Sequence, residues 1–143
     1  MTEISQSVYI AFFLYLVLIL IQWAVATVTK AKQPNAVPGK IDKALSHDSF
    51  VFRAHRTFHN TIENSPLFIG TVLFSFSLGY QGLWFAGLIW LYLIARVVHM
   101  VLYYVIATEK NPSPRSYFFL LGLIANIALL VLLGLRLIEI LKV

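Results

Sequence analysis

The chain of 143 residues is 59% hydrophobic and only 12% charged, with a mean hydropathy of +0.81. A soluble domain of this length could not bury so much apolar surface, so the composition excludes a soluble globular protein and indicates a single-domain integral membrane protein over residues 1–143. The chain has no cysteine, which excludes disulfides, thiolate metal ligands and a cysteine nucleophile. Its net charge of +5 favours an anionic ligand or anionic lipid headgroups over nucleic acid, because most of the chain lies in lipid.

Four apolar stretches predict an all-α bundle of four transmembrane helices, over residues 8–29, 48–78, 83–107 and 115–137. The first is interpreted as a retained span because nothing basic precedes it and no cleavage pattern follows. The second is expected to be capped by Ser46 or Asp48 and kinked at Pro66. Lys and Arg crowd the first and third loops and are missing from the second. The positive-inside rule therefore predicts that these two loops are cytoplasmic and that both termini lie on the opposite side.

The second predicted helix carries a polar stripe at the membrane boundary. Its residues are spaced by three, four and three, which places them on one face of a helix: Arg53, Arg56, Asn60 and Glu63. Charged side chains inside a membrane are expensive and usually functional, and arginine offers a planar fork that fits carboxylates. The alternative is an internal ion-pair network that locks the helices together.

The third and fourth helices carry two further polar groups. Tyr92, Arg96, His99 and Tyr103 share one face of the third helix. We expect Arg96 to pair with Glu63 and also to shape a pocket.

The fourth helix begins with Arg115 and Ser116, and a helix N-terminus favours anions. An arginine there could hold a thiolate and lower its pKa. Its alternative role is that of a positive membrane anchor.

A metal site is the competing interpretation of the second helix. His55, His59 and Glu63 follow one another at intervals of four, and two histidines with a carboxylate can ligate a metal. Residues eight apart are too distant to share one ion without a kink between them, so no metal is predicted.

Three motifs in order resemble the MAPEG family, the membrane-associated proteins in eicosanoid and glutathione metabolism. They are Arg-x-x-Arg-x-x-x-Asn-x-x-Glu-x-x-Pro from Arg53, Ala-Arg-x-x-His-x-x-x-Tyr from Ala95, and Arg-Ser-x-x-Phe-x-x-Gly from Arg115. The resemblance covers about residues 8–137 and is closest to the microsomal glutathione transferase branch. Phe119 stands where the prostaglandin and leukotriene synthase branches carry a tyrosine, which argues against eicosanoid chemistry.

The resemblance implies a homotrimer that binds glutathione between subunits, near the cytoplasmic face. Arg115 would be the catalytic residue that stabilises the glutathione thiolate, and Lys30 would add positive charge. The residues implied to bind glutathione are Arg53, Arg56, Asn60, Glu63, Arg96, His99, Tyr103 and Ser116.

The implied activity is that of a membrane glutathione transferase, with peroxidase as a second activity. Glutathione is the cosubstrate, and lipophilic electrophiles, membrane lipids and other copies of the chain are the partners. Two alternatives remain open: a non-catalytic lipid-binding or scaffold protein of the same fold, and a small proton-coupled transporter with a relay through Glu63, Arg96 and His99.

Overall fold

A computed structural model of the chain describes residues 2–142, and in these residues it contains four α-helices. They are α1 (Glu3–Ala31), α2 (Phe50–Ser77), α3 (Leu83–Val105) and α4 (Pro114–Leu141). The predicted helices are all present, and their bounds differ most at the two termini. There α1 begins five residues before the predicted span, because the Thr2 side chain caps its first turn by accepting the Ser5 N–H at 3.2 Å.

Three helices, α1, α3 and α4, are long and apolar enough to cross a membrane. The remaining helix, α2, is 28 residues long but falls short on composition, because its first half carries the predicted polar stripe. It nevertheless packs along the others: the Tyr15 hydroxyl of α1 lies 2.7 Å from the Ser65 hydroxyl of α2. The prediction of a multi-pass membrane protein is confirmed.

The core lies where α1, α2 and α3 meet. The rings of Phe68 and Tyr92 stack with centroids 4.0 Å apart, and Tyr15 packs edge-on against Phe68 at 4.7 Å. On the other side of α3, α4 packs at Gly122 against Arg96, and a Cβ added there would sit at an ordinary contact distance of 3.7 Å from Cδ of Arg96. Large apolar side chains such as Trp84, which is 79% exposed, cover the outside of the bundle and are suited to lipid.

Different hydrogen bonds determine where α2 begins and where it ends. The predicted cap at Ser46 or Asp48 is wrong: the helix begins at Phe50, Ser49 is the N-cap, and its side chain makes no capping bond. The reason is that the Arg53 side chain binds the backbone ahead of the helix, as described below.

At its other end α2 finishes in a Schellman turn around Gly79, whose φ is +63°. The Tyr80 N–H donates to the Ser75 carbonyl at 2.9 Å, and the Gly79 N–H donates to the Phe76 carbonyl at 3.1 Å. Pro66 lies inside α2, which continues through it.

Candidate functional site

The candidate site lies at the end of the bundle that carries loop 1 (residues 32–49) and loop 3 (residues 106–113), here called the basic end. Arg53 organises this end. Its guanidinium donates to the carbonyls of His47 and Asp48 at 2.6 and 2.8 Å, and to the Tyr104 carbonyl at 3.3 Å. Arg53, which is 9% exposed, therefore holds loop 1 against the end of α3.

Arg115 and Tyr103 form the centre of the site. The Arg115 guanidinium lies over the Tyr103 ring, 4.0 Å from its centroid, in a cation–π arrangement. Its Nη2 donates to the Thr108 carbonyl at 2.8 Å, whereas Nη1 is buried and makes no hydrogen bond to the described residues. Arg115 thus has one guanidinium nitrogen that makes no hydrogen bond within residues 2–142, and an anion could contact it only after the groups that cover it move.

Ser116 has a structural task at the start of α4. Its hydroxyl accepts the Ser113 N–H at 3.1 Å, and the Ser116 N–H in turn bonds to Ser113 in a capping box. Pro114 occupies the first turn, where its missing N–H has no cost. These contacts fix the backbone that carries Arg115.

Two histidines flank Tyr103. His99 lies deeper in the bundle and is 3% exposed, with its ring 5.6 Å from Tyr103 and 6.4 Å from Phe119. His47 reaches Tyr103 from loop 1, with ring centroids 5.7 Å apart, and packs edge-on against Phe52 at 5.0 Å. Nothing in the local sequence pattern indicated His47, since the whole of α2 separates it in sequence from α3 and α4.

Arg96 forms the next layer of polar contacts towards the membrane. It is 1% exposed and donates from Nη2 to Asn60 Oδ1 and Thr61 Oγ1, each at 2.8 Å. The expected pairing of Arg96 with Glu63 is wrong, because Glu63 is on the exposed face of α2 while Asn60 and Thr61 turn towards α3. Thr61 was missed by the sequence reasoning, although the four-residue spacing of Thr57, Thr61 and Ser65 marks a buried polar face.

The polar stripe of α2 is therefore divided between two environments. Arg53 is buried, Asn60 is half-buried, and Arg56 and Glu63 are exposed. Arg56 and Glu63 therefore lie on the outer face of α2, and within residues 2–142 neither forms an ion pair.

Lys30 lies in a separate cleft, between the end of α1 and the outer side of α2. This cleft of about 340 Å³ is also lined by Trp23, His55, Phe58 and His59. The rings of His55 and His59 are 4.1 Å apart, but within residues 2–142 no group of three or more potential ligands could hold a metal ion.

The arginines at the basic end have no ion-pair partners among the described residues. Among the described residues, the only ion pair joins Arg136 and Glu139, at 3.1 Å near the other end of the bundle. Within residues 2–142, no carboxylate forms an ion pair with Arg53, Arg56, Arg96 or Arg115. Burial and the charge of Arg115 lower the pKa of His47, an effect that Glu109 opposes and that Arg56 and Arg53 reinforce.

These features define a class: a multi-pass helical membrane protein with an uncompensated cluster of arginines at one end. The model of the MAPEG family matches residues 7–135, and the chain belongs to this family. No curated protein and no solved structure matches the chain at a significant level. Membership confirms the resemblance at family level and indicates a membrane function related to glutathione or to eicosanoid metabolism.

Proposed function

We propose that the protein is a membrane-bound glutathione transferase, with peroxidase as a second activity. The observation that carries the proposal is Arg115, which stacks on Tyr103 at 4.0 Å and keeps a buried Nη1 without a partner among the described residues. A cation that is fixed in position and lacks a carboxylate is suited to an anionic sulfur. Since the chain has no cysteine, the sulfur must come from a cosubstrate.

The other polar residues are assigned to recognition of glutathione. Arg56 is exposed and has no carboxylate partner among the described residues, so its fork is free for a glutathione carboxylate. The Glu63 carboxylate would accept hydrogen bonds from the glutathione amino group. Asn60 lies between Arg56 and Glu63 on α2. Arg53 and Arg96 would support the site through the backbone and side chains that they hold.

The reaction is a substitution by the glutathione sulfur. The thiol loses its proton, the thiolate is stabilised by Arg115, and the sulfur attacks an electrophilic carbon while the leaving group departs with the bonding electrons. The protein contributes orientation and electrostatic stabilisation and forms no covalent bond to the substrate.

A shallow groove between α2 and α4 offers a place for the lipophilic partner. It measures about 220 Å³ and is lined almost entirely by apolar groups, among them Pro66, Leu67, Phe74 and Leu130. Leu130 lies fifteen residues, or about 22 Å, along α4 from Arg115, so an electrophile that enters from the bilayer there must still move along α4 to reach the sulfur. The same groove would suit an acyl chain in the alternative function, a non-catalytic lipid-binding protein.

The polar outer face of α2 supports a homotrimer. Arg56 and Glu63 project away from the bundle on a helix that lies beside three membrane spans, and exposure of such groups to lipid is costly. A second copy that covers this face would remove the cost and complete the glutathione site. In the proposed orientation the basic end faces the cytoplasm.

The test is thiolate formation by purified protein in detergent. Glutathione is added near neutral pH and the ultraviolet absorbance of the thiolate is followed, with Arg136→Ala as a matched loss of an arginine far from the site. We expect a saturable signal in the native protein and in Arg136→Ala, and none in Arg115→Ala. Absence of both the signal and calorimetric binding in the native protein would contradict the transferase and favour the lipid-binding alternative.

A further inference from the structure

His47 shares Tyr103 with Arg115. The centroid of the Tyr103 ring is 4.0 Å from Cζ of Arg115 and 5.7 Å from the centroid of the His47 ring. The imidazole and the guanidinium thus contact the same aromatic ring, and Arg115 is close enough to His47 for its charge to lower the pKa of the imidazole. No sequence motif includes His47, and neither binding of the glutathione carboxylates nor stabilisation of the thiolate uses it.

The His47 imidazole is held in place by its own loop. The Arg53 guanidinium binds the His47 carbonyl at 2.6 Å, and the Phe52 ring packs edge-on against the imidazole at 5.0 Å. Its Nδ1 is buried and has no hydrogen-bond partner within residues 2–142. A nitrogen with this geometry can accept a proton if a donor is brought to it.

The groups around His47 keep it ready to act as a base. Tyr103 of α3 packs beside it, the charges of Arg115, Arg56 and Arg53 lower its pKa, and the Glu109 carboxylate of loop 3 raises it. Burial, with the charges of these arginines, lowers the pKa of His47 below its ordinary value, so the ring is neutral at pH 7.

We propose that His47 is a catalytic residue that accepts the thiol proton of glutathione bound at Arg115. The inference rests on the proposed transferase function and adds a general base to it. The S–H bond breaks, its electrons stay on sulfur, and the proton moves to the imidazole. After the thiolate has displaced the leaving group, the imidazolium returns the proton to solvent, and His47 is again neutral.

Other groups near the site are less suited to this step. His99 is 3% exposed and lies beneath Tyr103, away from loop 1. Glu109 is on the exposed part of loop 3. His47 alone combines contact with Tyr103, a fixed loop and an unpartnered nitrogen.

The experiment is stopped-flow measurement of thiolate formation after glutathione is mixed with the full-length protein. We expect His47→Gln to form the thiolate about 100-fold more slowly, as is typical for loss of a general base. We also expect His47→Ala to regain speed when free imidazole is added, and the acid limb of the native rate profile to disappear in His47→Gln. Lys43→Gln, an exposed change on the same loop, is the matched control and should behave like the native protein.

The outcomes separate this proposal from the proposed function. Equilibrium binding of glutathione by calorimetry verifies that each variant is folded. If His47→Gln forms the thiolate at the native rate, or if imidazole does not rescue His47→Ala, the role of His47 is refuted while the transferase stands. If the native protein itself forms no thiolate, both proposals fail.

Discussion

Replacement of Arg115 by alanine should raise the pKa of the bound glutathione thiol by about 1–3 units. Two unit charges about 4 Å apart interact by about 1 kcal/mol in water and by about 4 kcal/mol at an effective dielectric constant of about 20. Arg115 is half-buried, so its effect on a thiolate lies between these limits. One pKa unit corresponds to about 1.4 kcal/mol, which converts the interaction into the stated shift.

The assay is a pH titration of thiolate absorbance at saturating glutathione. Arg115→Lys retains the charge but loses the planar stack on Tyr103, so its titration should fall between those of the native protein and Arg115→Ala. Arg136→Ala controls for loss of positive charge in general. If Arg115→Ala shifts the titration no more than Arg136→Ala does, the assignment of the thiolate to Arg115 is wrong.

Three further predictions concern the packing and protonation of the bundle. Gly122→Ala should be tolerated, since its Cβ would meet Arg96 Cδ at 3.7 Å in ordinary contact, whereas Gly122→Leu should lower the thermal midpoint in detergent sharply. Ser113→Ala breaks the capping box with Ser116 and should cost about 1 kcal/mol of unfolding free energy, with no comparable loss for Ser49→Ala, whose side chain makes no capping bond. Because the pKa of His47 is lowered in the folded protein, its contribution to stability is complete above about pH 6.5 and is lost as the pH falls below that value. The unfolding free energy of His47→Gln should depend less on pH in this range, and an unchanged dependence would argue against a neutral, buried His47.

The helices were predictable because each needs little more than a long apolar run. A membrane span requires about 20 apolar residues, and the chain separates such runs by Pro, Gly and charged residues. The ends were less predictable, because they depend on side chains that act at a distance. Ser49 became the N-cap of α2 through Arg53, whose bonds to the carbonyls of His47 and Asp48 fix the preceding backbone.

Sequence patterns could propose residues for the site but not the contacts among them. Helical periodicity placed Asn60 and Glu63 on one stripe. A separation of three residues is less than a full turn, however, so the two side chains point in different directions: Asn60 is half-buried and Glu63 is exposed. Only Asn60, together with Thr61, reaches Arg96. Loop 1 is also beyond sequence reasoning, since nothing local in it determines that His47 meets Tyr103 on another helix.

Arg53, Arg56, Arg96 and Arg115 differ in how much of each guanidinium group remains for a ligand. Arg53 and Arg96 are 9% and 1% exposed, and their guanidinium groups bind neutral carbonyl, amide and hydroxyl oxygens. Such acceptors satisfy only some of the donors, since Nε of each arginine is buried without a partner among residues 2–142, and they leave the positive charge in place. A buried charge without a counter-ion is costly.

Arg115 and Arg56 are therefore the arginines with which an anion would make direct contact. Nη1 of Arg115 has no hydrogen-bond partner among the described residues, and Arg56 is exposed. The charge of the two inner arginines still acts on the same ligand through the low-dielectric interior. An anion at this end would thus contact Arg56 and Arg115 and would be attracted by the charges of all four arginines. It would supply the negative charge that the protein's own carboxylates do not bring to these arginines.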